Sequence, residues 1–313
     1  MKKWIIVFGV LAVFGCSKTP VPQKAEATTQ KAVPANDPET MTSVFETFSG
    51  VKTHHDHDHF YVESNGLPDH QMMVGITSWQ QQVPISHDYS GSNSWPIPLQ
   101  PELAAEPLST KENFMRGAIA VAVNGIPIFN PMNNRGEDAK AAGELDRWGG
   151  HCGRADDYHY HLPPTHLQSQ VGEGKPIAYA LDGFPVYPET TEELDEYLGR
   201  FNKDGSYQYH AVKDYPYLIA AMRGKVAINP NTKAPENEIS PQARTKEIRP
   251  FLRPLRGATI TAFESLGPNS YSLTYTLDGE PHVVKYNWND TGLYTFEFIS
   301  PDGTSETKTY QKT

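Results

Sequence analysis

Cysteine is nearly missing from this chain, whose 313 residues hold only Cys16 and Cys152. A disulfide framework is thereby excluded, so stability has to come from a hydrophobic core, and the length suffices to build one. Positive charge is short as well: 27 Lys and Arg stand against 37 Asp and Glu, for a net charge of −10. No basic stripe interrupts that deficit, which argues against a nucleic-acid partner. The one apolar run near the start, residues 4–14, is too short to cross a bilayer comfortably. A nucleophile elbow, a zincin helix, a P-loop and a dinucleotide fingerprint are all missing, so no reaction class follows from motif.

What is present is aromatic and rich in turn formers. Aromatics make up 11% of the chain, with 26 Pro and 24 Gly, a balance that predicts a mainly β protein of short strands and long loops. The first residues, "MKKWIIVFGVLAVFGC", combine a basic pair with an apolar stretch ending in "VFGC". This looks like a lipoprotein signal peptide over residues 1–15, with Cys16 the residue that is lipidated and becomes the new N-terminus. The expected location is the cell envelope, on a membrane through lipid. Once Cys16 is acylated, Cys152 is the only thiol left; it is then either buried and inert or a metal ligand.

Residues 16–52 are polar and read as a flexible tether, with folded sequence beginning near Phe60 and the core domain spanning 53–228. A polar linker is expected over 229–254. Beyond it, residues 255–313 alternate apolar and polar positions between Asp-Gly turns, predicting a small antiparallel meander of four strands.

The middle of the chain repeats itself. "AIAVAVNGIPIF" begins at Ala118 and "PIAYALDGFPVY" at Pro176; each reads as strand, tight turn, strand. Downstream, "ELDRWGGHCGRADDYHYH" and "ELDEYLGRFNKDGSYQYH" keep the same spacing, Asp146 preceding Tyr158 by twelve residues as Asp195 precedes Tyr207. The core is therefore expected to be a duplicated unit, residues 118–161 and 176–210, with extra residues "NPMNNRGEDAKAAG" in the first copy.

In "YHYH", residues 158–161, strand alternation puts His159 and His161 on one face and Tyr158 and Tyr160 on the other. Two histidines at that spacing can reach one metal ion. If the two copies meet near a pseudo-two-fold axis, His210 faces them as a third ligand, while Gln208 at the position of His159 breaks the symmetry. His151 or Cys152, from the glycine-flanked "GGHCG", is the expected fourth ligand. Asp156, Asp157, His70 and His166 are nearby candidates. Copper or zinc suits an imidazole set, and a thiolate from Cys152 would favour copper. Tyr158, Tyr160, Tyr207 and Tyr209 would pack behind the imidazoles and orient them. Two other readings remain open: a metal-dependent hydrolase using His159, His161, Glu144, Asp146, Asp157 and Tyr158 as acids and bases, and a metal-free scaffold whose aromatic face meets glycan or protein. The tract "HHDHDH", residues 54–59, is compatible with a metal-loading arm and with a solvated linker. His87 has no supporting neighbours in the sequence, and His282 reads as a surface residue of a strand.

Blocks such as "FYVESNGLPDHQMMVGITSWQQQVP", "GAIAVAVNGIPIFNPMNNRGED", "GELDRWGGHCGRADDYHYH" and "YQYHAVKDYPYLIAAMRGKV" resemble the YHYH-domain family, over about residues 57–228. The resemblance implies an exported protein and carries no settled biochemical activity. Gln208 departs from a second Tyr-His-Tyr-His block.

Overall fold

The alanine-rich strands predicted around residues 120 and 179 lie side by side at the centre of an eight-stranded sheet and are buried throughout. A computed structural model describes residues 32–239, 248–250 and 252–312. Cys16 and the apolar run of residues 4–14 lie outside the described residues. In chain order the elements are helix α1 (Pro38–Phe45) and strands β1 (Lys52–His55), β2 (His59–Glu63), β3 (Trp95–Pro98), β4 (Leu103–Ser109), β5 (Ala118–Ala122), β6 (Pro127–Phe129), β7 (Gly150–Cys152), β8 (Tyr158–Tyr160), β9 (Ala178–Ala180), β10 (Pro185–Tyr187), β11 (Gly199–Phe201), β12 (Tyr207–His210), β13 (Ala221–Gly224), β14 (Thr259–Gly267), β15 (Ser270–Leu277), β16 (Glu280–Trp288), β17 (Leu293–Ile299) and β18 (Ser305–Gln311). The protein is mainly β.

The duplication is visible in the central sheet, whose strand order is β11-β12-β10-β9-β5-β6-β8-β7. Read from either edge, the sequence of equivalent strands is the same. The pseudo-two-fold axis passes between β5 and β9, where Val121 pairs with Tyr179 and the flanking pairs are Ala120 with Ala180 and Ala122 with Ala178. Each copy opens with a hairpin, closed at Asn124-Gly125 in the first and Asp182-Gly183 in the second. Both glycines take positive φ, +76° and +97°, the left-handed third position of a three-residue hairpin loop closed by Gly125 N to Ala122 O and Gly183 N to Ala180 O, a conformation that a side chain resists. Each copy then adds a parallel strand, β8 beside β6 and β12 beside β10.

This topology corrects one expectation. The two Tyr-x-Tyr-His strands do not meet at the axis; each lies third from it, with β10, β9, β5 and β6 between them. Five strand spacings of about 4.8 Å separate β8 from β12 by roughly 24 Å, so His210 cannot share a metal with His159 and His161. The physical reason is that β5 and β9, buried on both faces, take the central positions.

Part of the tether expected over residues 16–52 is folded: helix α1 lies within it and β1 begins at Lys52. Asp37 caps α1 by accepting from Thr40 N (3.0 Å), and Pro38 starts the helix. Met41, Val44 and Phe45, spaced along one helical face, are buried in the core. Their apolar spacing is only one turn long, which is why it escaped notice in a polar stretch. The residues of "HHDHDH" form the β1–β2 hairpin. Asp56 ties its turn, accepting from Asp58 N, His59 N and Tyr61 Oη, each at 2.8 Å.

The C-terminal sheet has five strands, β14 to β18, not four. The additional strand is β14, and Gly267 and Asn269, both at positive φ, carry the chain into β15. The sheet is joined to the core by Gly75 N to Ile260 O (2.9 Å), Ile260 N to Ile76 O (3.0 Å) and Tyr286 Oη to Pro84 O (2.7 Å). Residues 229–254 are more than a connection as well. Arg249 is buried and donates through Nε (3.0 Å) and Nη2 (2.6 Å) to the Asp156 carboxylate.

Candidate metal centre

The local fold of "ELDRWGGHC" starts from Asp146. Its Oδ1 accepts from Trp148 N (2.9 Å) and Gly150 N (3.1 Å), which turns the chain into β7. Its Oδ2 accepts from Tyr158 Oη and from Met73 N, both at 2.8 Å. The Tyr158 ring thus crosses directly over β7, and a Cβ at Gly150 would overlap its hydroxyl. The second copy repeats the device: Asp195 accepts from Tyr197 N (2.9 Å), Gly199 N (3.0 Å) and Tyr207 Oη (2.9 Å). Asp146, a candidate acid or base in the sequence, is therefore occupied in shaping the backbone.

That turn brings three imidazoles together. In the β7–β8 register His151 lies opposite His159, and His161 follows at the end of β8. Nε2 of His161 is 3.2 Å from Nε2 of His159 and 3.0 Å from Nε2 of His151. The other nitrogens are engaged by acceptors. His159 Nδ1 donates to the Asp157 carbonyl (3.0 Å), with the Asp157 carboxylate 3.4 Å away, and His161 Nδ1 donates to the Asn130 carbonyl (2.5 Å). The His151 ring is hydrogen-bonded to the backbone of Glu144. Phe129 lies flat on His159, with ring centroids 4.0 Å apart.

A carbonyl oxygen only accepts, so Nδ1 of His159 and of His161 carries a proton, and wherever the ring is neutral its Nε2 is a bare lone pair. Two bare acceptors 3.2 Å apart repel. Protonation is a poor remedy, because burial opposes it: burial first, and then the charge of neighbouring His159, push His161 down to about 3 and hold His151 well below the ordinary histidine value. A cation on the three lone pairs satisfies them all. At Zn–N bonds of about 2.0–2.1 Å, tetrahedral ligand nitrogens are about 3.3 Å apart, close to the separations here. Backbone carbonyls on the far nitrogens are the usual partners of metal-ligating histidines.

Cys152 is not part of this group. It is adjacent to His151 in β7, and neighbouring residues of a strand face opposite ways. Its thiol lies on the face of Tyr158 and Tyr286, and burial pushes it well above the ordinary thiol range. With it goes the thiolate argument for copper. His210 occupies the place of His161 in the second copy, donating from Nδ1 to the Pro188 carbonyl (2.8 Å) as His161 does to Asn130. There the resemblance of the two sites ends. Arg200 pairs with Gln208 as His151 pairs with His159, and Gln208 Nε2 donates to His210 Nε2 at 2.7 Å. An amide proton fills the lone pair that its counterpart leaves bare.

The remaining candidates lie elsewhere. Tyr160 Oη accepts from Asn124 Nδ2 (3.0 Å) and donates to His70 Nε2 (2.7 Å), so His70 faces the reverse side of β8, where His166 and Trp148 pack on it. Tyr209 Oη donates to Asp182 at 2.6 Å. The four tyrosines therefore brace the strands from behind. His87 is buried and stacks on Tyr89, and His282 stacks on Tyr275 in the C-terminal sheet. Asp156, at φ +60°, belongs to the Arg249 ion pair. Sequence reasoning missed Asn130, whose carbonyl orients His161; its signal was its place at the start of the additional residues of copy one. It also missed Arg249, for which a polar stretch offers no signal.

The triad lies at the base of a cleft of about 670 Å³, also lined by Met73, Ile76, Trp79 and Met132. Glu144 borders it, ion-paired with Arg135 and accepting from Asn133 Nδ2 at 3.2 Å.

No curated protein and no solved structure matches this chain. Residues 94–193 match the family model described as YHYH protein, a stretch that holds β3 to β10, the whole triad and the cleft residues Phe129 and Met132 but stops short of β11 and β12. By that match, the chain carries a domain of the YHYH family.

Proposed function

We propose that the protein is an exported, lipid-anchored protein whose YHYH domain binds one transition-metal ion, zinc or copper, on Nε2 of His151, His159 and His161. The observation that carries the reading is the convergence of three imidazole Nε2 atoms at 3.0 and 3.2 Å, with Nδ1 of His159 and His161 held on backbone carbonyls, an arrangement that a cation between them satisfies. Neutral imidazoles suit both metals. The anchoring part rests on the sequence alone, on Lys2, Lys3, the apolar residues 4–14 and Cys16. Among the described residues no helix is long and apolar enough to cross a membrane.

The test is metal content by mass spectrometry on untagged protein. Because residues 38–63 are built into the fold, the hairpin histidines are replaced rather than deleted, as His54→Ala, His55→Ala, His57→Ala and His59→Ala. That variant should retain close to one equivalent of zinc or copper, and adding His159→Gln and His161→Gln should abolish it. Absence of metal from both after supplementation refutes the reading and leaves a metal-free binding protein.

A second reading, a metal-dependent hydrolase, is favoured by the cleft that opens on the triad. Three protein ligands with a fourth position open to solvent is the arrangement in which zinc activates water. Glu144, beside the cleft, is held by Arg135, so a base would have to come from that pair.

A further inference from the structure

The two copies of the repeat differ in two respects at once. Copy one has the three-histidine set, and copy two has Arg200, Gln208 and His210 at the same strand positions. Copy one also has the longer loop: sixteen residue steps separate Asn130 from Asp146, and seven separate the matching Pro188 from Asp195. The additional residues are built rather than loose. Asn133 N donates to Glu137 O (2.8 Å), Ala139 N to Pro131 O (3.0 Å) and Tyr217 Oη to Asp138 Oδ2 (2.6 Å). They place Met132 and Asn133 in the wall of the cleft above the triad. A purely structural metal needs no such wall. The metal ligands and the chamber over them occur together in one copy and are missing together from the strands and loop of the other.

The chamber has a definite chemistry. Three neutral imidazoles leave a divalent ion with its full charge. The two carboxylates nearest the triad are committed: Glu144 to Arg135 and Asn133, and Asp157 beneath His159. Neither belongs to the ligand cluster itself. Beyond the ligands one part of the wall is apolar. Trp79 donates its indole N–H to Gln82 O (2.8 Å) and so offers only ring surface, and Met73, Ile76, Phe129 and Met132 line the cleft with it, while Arg116 and Arg154 bring positive charge to the rest of the lining. The volume, about 670 Å³, lies within the range of small-molecule sites.

We propose, building on the metal reading above, that the cleft takes a small organic oxyanion, a carboxylate or phosphate ester, with its anionic head on the metal and an apolar tail against Trp79, Ile76 and Met132. The head supplies the negative charge that the ligand set lacks, and the tail displaces water from the apolar wall.

The full chain is loaded with cobalt(II), whose visible spectrum reports a change of ligand. It is then titrated with acetate, butanoate, hexanoate and octanoate, with the matching alkyl phosphates, and with alkyl amines of equal length. Each added methylene should tighten oxyanion binding roughly fourfold until the cleft is filled, amines should not bind, and Met132→Ala should flatten the chain-length dependence. The better of the two oxyanion series identifies the head group. A spectral change with no dependence on chain length overturns the proposal and leaves the metal reading standing. So does an unchanged spectrum with every anion, or equal binding of amines. Failure of cobalt to bind the triad refutes the metal reading itself, and this proposal with it.

Discussion

Acidifying the metal-free protein from pH 8 to pH 5 should destabilise it by roughly 2 kcal/mol through His161 alone. Burial, reinforced by the charge of His159, lowers the His161 value to about 3 in the folded state, against 6.5 for the free side chain. The unfolded chain therefore binds a proton on this residue as pH falls through 6.5, and the folded chain does not until pH approaches 3. Stability is fully present above pH 6.5 and declines below it; at pH 5 the unfolded state has gained about 1.5 pH units of protonation free energy, or roughly 2 kcal/mol. For a domain of this size that corresponds to a fall in Tm of roughly 4–8 °C. His151, shifted in the same direction, adds to it. The assay is thermal unfolding followed by circular dichroism in EDTA at half-unit pH steps, on wild type and on His161→Gln. The variant can still donate an amide to the Asn130 carbonyl but has nothing to titrate, so its curve should be flatter between pH 6.5 and 5. Saturating zinc should raise Tm at pH 7.5 in wild type and lose that effect as the imidazoles protonate. Parallel curves for wild type and variant in the metal-free form would refute the assignment of His161 as a buried, neutral, Nδ1-protonated imidazole.

Two further outcomes are expected. Combining Arg200→His with Gln208→His should create a second triad with His210, because the strand register and the carbonyl anchor of copy two match those of copy one; metal content by mass spectrometry should rise from one equivalent to two, and an unchanged content would show that the strand framework is not what sets the site. Arg249→Ala should cost roughly 3–5 kcal/mol in urea denaturation by leaving Asp156 buried and unpaired; adding Asp156→Asn should recover part of it, and a loss below about 1 kcal/mol would mean that the ion pair is not what joins the C-terminal segment to the β7–β8 turn.

Much of the site was legible because strand geometry is local. The i, i+2 spacing of His159 and His161 already places them on one face, and the glycines around His151 mark a tight approach. Cys152 could have been set aside by the same rule, since adjacency to His151 in one short strand sends the two side chains apart. His210 was assigned on a different basis, the guess that equivalent strands of a duplicated unit lie next to the axis. Residue pattern does not carry that information: "YQYH" is the same string whether its strand is first or third from the axis. Helix α1 was missed because a single turn of apolar spacing, Met41 to Phe45, is too brief to stand out from a polar background.

From the sequence alone came the mainly β character, the duplication and its two hairpins, the alternation within "YHYH", the matched spacing of each "ELD" aspartate and its tyrosine, and the acidic balance that disfavours nucleic acid. All are set by backbone periodicity, turn chemistry or charge, which act over a few residues or need no geometry. Tertiary structure decided the membership of the histidine cluster, the carbonyls of Asp157 and Asn130 that fix the tautomers of His159 and His161, the cleft that residues 130–143 help to line, and the reach of Arg249 across 93 residues to Asp156. Each of these depends on which strands lie side by side, and that order follows from burying β5 and β9 at the centre of the sheet, a collective choice that no short segment encodes.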